Sequence, residues 1–250
     1  MSRLFSANMM RLKRSKFFIF GLIFMAGYAL FVYDSARSTM ENKGPIDNWN
    51  IYFFNALLLS GFVTALFVSV FLSAEYSDGT IRNKLMVGHR RKNIYLVNFV
   101  TCLLAELTMY IMYFMFSLLF GLLIFGNESL QVRNVGVGLL CSILILSVYT
   151  AIFVLVEMLD KNKIRTMAVN LTGALLILVI GIVSYSELWG HPDTAGFMWH
   201  IIEILFPSVL VMYVTGADSV SYFPMILGLL IETMCFVGIG IWGFGRKDIQ

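Results

Sequence analysis

Charge is scarce in this 250-residue chain: Asp, Glu, Lys and Arg together make up 13%, against about 25% in a soluble domain. Proline is scarce too, with four residues, and histidine and cysteine have three each. So few ionisable side chains cannot coat a soluble surface, which excludes a soluble enzyme and a nucleic-acid binder as descriptions of the whole chain. Cys102, Cys141 and Cys235 all sit inside apolar runs, without the spacing of a metal site or a disulfide framework, so they read as small hydrophobes. The chain carries no Gly-x-x-x-x-Gly-Lys-Ser/Thr phosphate loop, no His-Glu-x-x-His and no Gly-x-Ser-x-Gly. What it does hold is 59% apolar residues, with 22 Phe and 15 Met, and a mean hydropathy of +0.82. That excludes a disordered chain and identifies an integral membrane protein.

Six apolar stretches are long enough, or nearly so, to cross about 30 Å of hydrocarbon as helices. They are 17–33, 51–72, 94–125, 135–158, 167–185 and 222–244. Continuous apolar runs argue against a barrel of alternating strands. The third run is too long for an upright span, so its first turns lie at the interface or the helix is strongly tilted. The expected fold is all-α and polytopic, one domain over residues 1–250.

Basic residues fix the orientation. Arg3, Arg11, Lys13, Arg14 and Lys16 precede the first span, and Arg82, Lys84, Arg90, Arg91 and Lys92 lie between the second and third. Lys161, Lys163 and Arg165 separate the fourth and fifth, and Arg246 and Lys247 follow the sixth. Fifteen of the eighteen Lys and Arg therefore fall on one side, against Arg37, Lys43 and Arg133 on the other. Both termini are expected in the cytoplasm. The residues after Tyr33, Asp34-Ser35-Ala36-Arg37, offer no convincing signal-peptidase site.

Residues 1–16 carry Phe5, Met9 and Leu12 at helical spacing beside Leu4, with Arg3, Arg11 and Arg14 off that stripe. This predicts an amphipathic helix in the cytoplasmic interface. Residues 186–221 are long and expected outside; the apolar pieces 197–199, 201–206 and 209–214, broken by Pro207, predict short helices at or in the outer leaflet.

The second cytoplasmic loop, 73–91, contains a short helix, with Asp78 or Thr80 suited to its start and Gly88 to its end. Ile81 and Leu85 share one face of it, an apolar knob among charges. Such a helix held between two spans predicts a docking element.

Glu75, then Gly79-Thr80-Ile81-Arg82-Asn83-Lys84-Leu85, Gly88, Arg90-Arg91 and Ile94-Tyr95, resembles the loop between the second and third helices of ABC-2 type permeases. Those are membrane subunits of ATP-binding cassette transporters. The basic leader, six spans, apolar outer segment and the ending Phe244-Gly245-Arg246-Lys247-Asp248 agree with that likeness. The resemblance implies a bacterial plasma-membrane protein that pairs with a second permease copy or paralogue. It implies a separate ATPase subunit that binds ATP and Mg, so this chain is not itself an enzyme and holds no cofactor. It also makes the loop the coupling helix, with Glu75, Asp78, Gly79, Thr80, Ile81, Arg82, Lys84, Leu85 and Gly88 as the coupling residues. Export is expected, since no import signature is visible, and an amphipathic peptide, toxin or antimicrobial is the first expectation for cargo. The rival reading is a non-transporting membrane sensor or an assembly or immunity factor on the same scaffold.

Other features carry two readings. Gly61, Ala65, Ser69 and Ser73 repeat every four residues in the second span, which suits helix packing or a dimer seam. Glu106 and Glu232 lie deep in their spans, where a carboxylate costs about 2.5–3.5 kcal/mol on insertion scales. They line a pathway, or they are hydrogen-bonded packing residues. Glu157 is expected to pair with Lys161 or Arg165. Gly238, Gly240 and Gly243 mimic a dinucleotide fingerprint but sit in a membrane span, which points to close helix packing. His191, Asp193, His200 and Glu203 make a weak zinc pattern, and Asn127–Ser129 a glycosylation sequon that matters only in a eukaryotic secretory pathway.

Overall fold

The computed structural model describes residues 2–43, 52–125, 132–160, 162–190, 197–216 and 222–247. Asn127–Ser129, Lys161, His191 and Asp193 lie outside these. Among the described residues the structure is all helical: α1 (Ser2–Arg14), α2 (Lys16–Lys43), α3 (Ala56–Ser77), α4 (Thr80–Met86), α5 (Arg91–Phe125), α6 (Val132–Leu159), α7 (Lys163–Gly190), α8 (Phe197–Leu205), α9 (Pro207–Gly216) and α10 (Tyr222–Arg246). Six of them, α2, α3, α5, α6, α7 and α10, are long and apolar enough to cross a membrane.

The spans fall on the predicted apolar runs, but the helix of the second span, α3, starts at Ala56 instead of 51 and runs to Ser77 instead of 72, and several helices outrun their apolar cores. α2 continues to Lys43 because Ser38, Thr39 and Asn42 return their polar atoms to carbonyls four residues back, and Arg37 pairs with Glu41 at 3.3 Å. α5 is one unbroken helix of 35 residues, about 52 Å at 1.5 Å per residue and well beyond the hydrocarbon thickness. α7 starts on a side-chain cap: Asn162 Oδ1 accepts from the backbone N–H of Ile164 at 3.2 Å and of Arg165 at 3.3 Å.

α3 and α6 form the buried centre, with α3 packed against α6 and α7, α2 against α5, and α10 against α6 and α5. The outward faces of α2, α5, α7 and α10 carry exposed Phe20, Phe31, Ile111, Leu123, Leu176 and Met234, the composition that acyl chains solvate. α1 and α4 sit together at one end, which also holds the basic residues and is called here the basic end.

One placement differs from expectation. The innermost line of α1 is Leu4, Asn8 and Leu12, all buried, with Phe5 and Met9 only partly so. That line packs on α5, so much of the stripe expected to meet the membrane is covered by protein. Beyond α7 the chain turns back, and α9 lies buried against α7 and α6 with Val209, Leu210 and Val211 essentially inaccessible. A Cβ on Gly181 would stand 2.5 Å from the Cβ of Ser208, so glycine is what lets α9 approach this closely. Pro207 costs nothing there, because it occupies the first turn of α9, where its missing N–H has no helical acceptor.

Candidate functional site

The basic end is organised by Glu75, in the last turn of α3 and fully buried. Its Oε1 accepts from Arg11 Nη1 and from Lys84 Nζ, both at 2.6 Å. Its Oε2 accepts from Asn98 Nδ2 at 2.8 Å. The network then closes on itself: Asn8 Nδ2 donates to Asn98 Oδ1 at 2.6 Å, and Lys84 Nζ donates to Asn8 Oδ1 at 3.0 Å. Four residues from four helices, α3, α4, α1 and α5, thus form one ring. Arg11 lies outside it, donating also to the carbonyl of Phe71 at 2.8 Å and stacking 4.0 Å from the Phe71 ring. A buried carboxylate is tolerable only with this many donors, since each missing one leaves a desolvated charge.

α4 hangs from this ring. Asp78 closes α3 and does not start α4: its N–H donates to Ala74 O at 3.0 Å. The turn is made by Gly79 at φ +64°, a left-handed conformation that glycine adopts without a Cβ penalty. Thr80 does not cap α4 either; its Oγ1 donates back to the carbonyl of Glu75 at 3.0 Å. Gly88 ends the helix as expected, at φ +89°, with its N–H on Leu85 O at 2.9 Å and that of His89 on Lys84 O at 3.2 Å.

The apolar face of α4 is turned inward. Ile81 is 1% exposed and belongs to the chain's own core, with Leu85 packed against it. The expected knob is therefore a root, because Ile81 has no free surface to offer a partner. The apolar atoms on the outside are those of Met86 and Val87, 69% and 77% exposed, with Arg82, Asn83 and Arg90 exposed around them.

Tyr76, the next residue after Glu75, faces the other side. Its hydroxyl donates to the carbonyl of Met158 at 2.7 Å, in the last turn of α6. Lys247 Nζ donates to the same carbonyl at 2.9 Å and to Tyr76 Oη at 3.0 Å, with its ammonium 4.4 Å from the Tyr76 ring. A cation at a helix C-terminus is favourable. Arg91 of α5 reaches the carbonyls of Phe244 and Lys247. One turn and more above, Ser69 Oγ accepts from Asn170 Nδ2 of α7 at 2.9 Å. α3 is thus tied at successive levels to α1, α4, α5, α6 and α7 and to Lys247 after α10.

The stripe Gly61, Ala65, Ser69 and Ser73 is buried within this chain. A Cβ on Gly61 would meet the Tyr149 ring at 3.6 Å and Ala174 at 3.9 Å, so the stripe faces α6 and α7. Glu157 does not pair with Arg165, which instead binds Asp160, with Nη2 to Oδ1 at 2.6 Å. Glu157 is buried, with Asn170 Nδ2 donating to its Oε2 at 3.5 Å. The α6–α7 loop is short enough that Asp160 captures the arginine first. Glu106 is buried on α5 beside Thr64, and its Oε1 has no partner. Glu232 is half-buried on α10, with a buried and unpartnered Oε2. Both lie about 21–22 Å along their helices from the basic end at 1.5 Å per residue. His200 Nδ1 lies 3.2 Å from Glu203 Oε2, and among the described residues no group of three or more His, Cys, Asp or Glu could hold a metal.

Sequence reasoning missed Asn8, Arg11 and Asn98. The available signals were an asparagine in line with Leu4 and Leu12 and another just inside an apolar span.

Comparison with known proteins supports the architecture. The chain is 23% identical over 260 residues to the uncharacterized membrane protein YdbK of Bacillus subtilis (strain 168), covering 96% of this chain and 100% of that protein. Residues 4–172, which include most of α1, the ring, α4 and the first four spans, match the model of the ABC-2 family transporter protein, and the chain belongs to that family.

Proposed function

We propose that this chain is the permease subunit of an ATP-driven exporter in the bacterial plasma membrane, with both termini and the basic end in the cytoplasm. In this reading residues 1–250 form one translocation domain that works with a second permease copy or paralogue. A separate ATPase subunit binds ATP and Mg and docks on the tip of α4.

One observation carries the reading. Met86 and Val87 expose an apolar pair at the end of a short helix, with the exposed cations Arg82 and Arg90 close by in the chain. That helix is anchored to the most deeply buried span by Ile81, Thr80 and the Glu75 ring. An apolar tip on a rigid stalk is poorly suited to water and well suited to a protein pocket. Force applied there reaches α3 directly, because Glu75 belongs to α3 and Thr80 hangs from its carbonyl. α3 then moves against α6 and α7 along the face of Gly61, Ala65 and Ser69, where small residues leave room for sliding. Two-state motion of this kind is alternating access. An amphipathic peptide, toxin or antimicrobial fits as cargo by family likeness alone.

The test is co-purification from the native membrane. The parent chain brings down an ATP-binding cassette subunit, and Met86→Asp with Val87→Asp loses it while remaining inserted. Undiminished capture by the double variant overturns the docking surface. Capture of no ATPase by the parent favours a sensor or assembly factor on the same scaffold.

A further inference from the structure

We propose that the leader helix α1 is a working part of the transmission, with Asn8, Arg11 and Asn98 as positioning residues that fix the coupling helix through Lys84. The proposal rests on the docking reading above for its functional consequence, but its structural half stands alone.

α4 has seven residues, too few to hold its own conformation without tertiary contacts. Three kinds of contact hold it: Ile81 and Leu85 on the core, Thr80 on the carbonyl of Glu75, and Lys84 in the ring. The first two fasten it to the body. The third is different, because Lys84 Nζ is shared between Glu75 of α3 and Asn8 of α1. Asn8 in turn donates to Asn98 of α5, and Asn98 donates to Glu75. The donor direction around the ring is single-valued. Lys84 can only donate, so Asn8 must turn its oxygen to Lys84 and its nitrogen to Asn98. That forces Asn98 to turn its own nitrogen to Glu75.

A displacement of α1 therefore cannot be absorbed by flipping one amide; it breaks the ring at Lys84 and loosens the outer turn of α4, which then keeps only the Lys84–Glu75 bond and the packing of Leu85. Arg11 adds the second link, binding α1 to the same carboxylate oxygen that Lys84 uses. The donors satisfy the buried carboxylate, and because they come from α1, α4 and α5 they also tie the positions of those helices to one another. Coupling follows from that shared geometry, since each helix then senses the other's position.

The experiment places a spin label at Val87 and, separately, at Ser38 on α2 as a remote reference, on a Cys235→Ser background in phosphatidylethanolamine/phosphatidylglycerol vesicles. Asn8→Leu removes both amide links. The expected result is a label at position 87 that is more mobile, with the Ser38 label unchanged and Arg11→Lys retaining native mobility at 87. Asn8→Ser is measured in parallel as the milder break, and it decides the matter if Asn8→Leu loosens both labels. Native mobility at position 87 in Asn8→Ser and Asn8→Leu overturns the proposal.

With the ATPase bound, Asn8→Ser and Arg11→Gln are expected to keep the partner and to lose about tenfold in ATP turnover, with Arg11→Lys restoring most of it. Unchanged turnover in both variants also overturns the proposal. If the parent captures no ATPase, the docking reading fails while the label result still stands or falls by itself.

Discussion

Replacing Glu75 by glutamine keeps the shape of the side chain and removes its charge, so it isolates the electrostatics of the ring. In the native protein one oxygen takes two cationic donors at 2.6 Å and the other takes an amide at 2.8 Å. Glutamine cannot satisfy this set. With its nitrogen toward Arg11 and Lys84, it confronts two groups that only donate. With its nitrogen toward Asn98, it forces that amide to flip, then Asn8 to flip, and the clash reappears at Lys84. Hydrogen bonds to charged groups are worth about 1.5–3 kcal/mol each. Water recovers part of the loss, because the side chains of Arg11 and Lys84 are 30% and 14% exposed. The expected net cost of Glu75→Gln is about 2–4 kcal/mol. For a chain of this size that lowers the thermal midpoint by about 5–15 °C. The assay is thermal unfolding of the purified protein in detergent, with Glu41→Gln as the control. Glu41 belongs to an exposed pair with Arg37, 66% and 68% accessible, and its loss should not move the midpoint. A Glu75→Gln protein as stable as the parent refutes the reasoning, because the ring would then not depend on a charge.

Three further outcomes follow. Ile81→Ala should destabilise by about 2–4 kcal/mol through a buried cavity, whereas Met86→Ala, on an exposed tip, should leave the thermal midpoint in place; equal effects would mean that α4 does not face as described. Gly240→Ala should cost about 1–3 kcal/mol, because the new Cβ would stand 2.0 Å from the buried Tyr95 hydroxyl, and a Tyr95→Phe background should recover part of the loss in the same melting assay. Single cysteines at Ser38 and Ser129 should react with an impermeant thiol reagent on intact cells while one at Asn83 should not; labelling at position 83 from outside overturns the topology.

The spans were legible because continuous apolar runs have one physical use, and the short helix α4 because Gly88 marks its end and Ile81 and Leu85 share a face. The direction of faces was not legible. Periodicity says that Ile81 and Leu85 share a face, and that Leu4 and Leu12 do, but it does not say what covers them. In each case the chain's own core does. The ring partners were hidden for another reason. Asn8 lies 90 residues from Asn98, and Arg11 lies 64 from Glu75. No local rule joins residues at that separation, and a single asparagine in a helix has many uses. For Glu157 the Arg165 partner was near enough in sequence, but that arginine binds Asp160, while Lys161, the other expected partner, lies outside the described residues.

The central claim is that the tip of α4 touches an ATP-hydrolysing partner. A photo-crosslinking amino acid placed at Val87 in the native membrane, followed by mass spectrometry of the adduct, tests it directly. The account predicts a crosslink to an ATP-binding cassette subunit, strongest at position 87 and absent from position 81, where the side chain is 1% exposed. Crosslinks from position 87 to lipid or to this chain alone would contradict it.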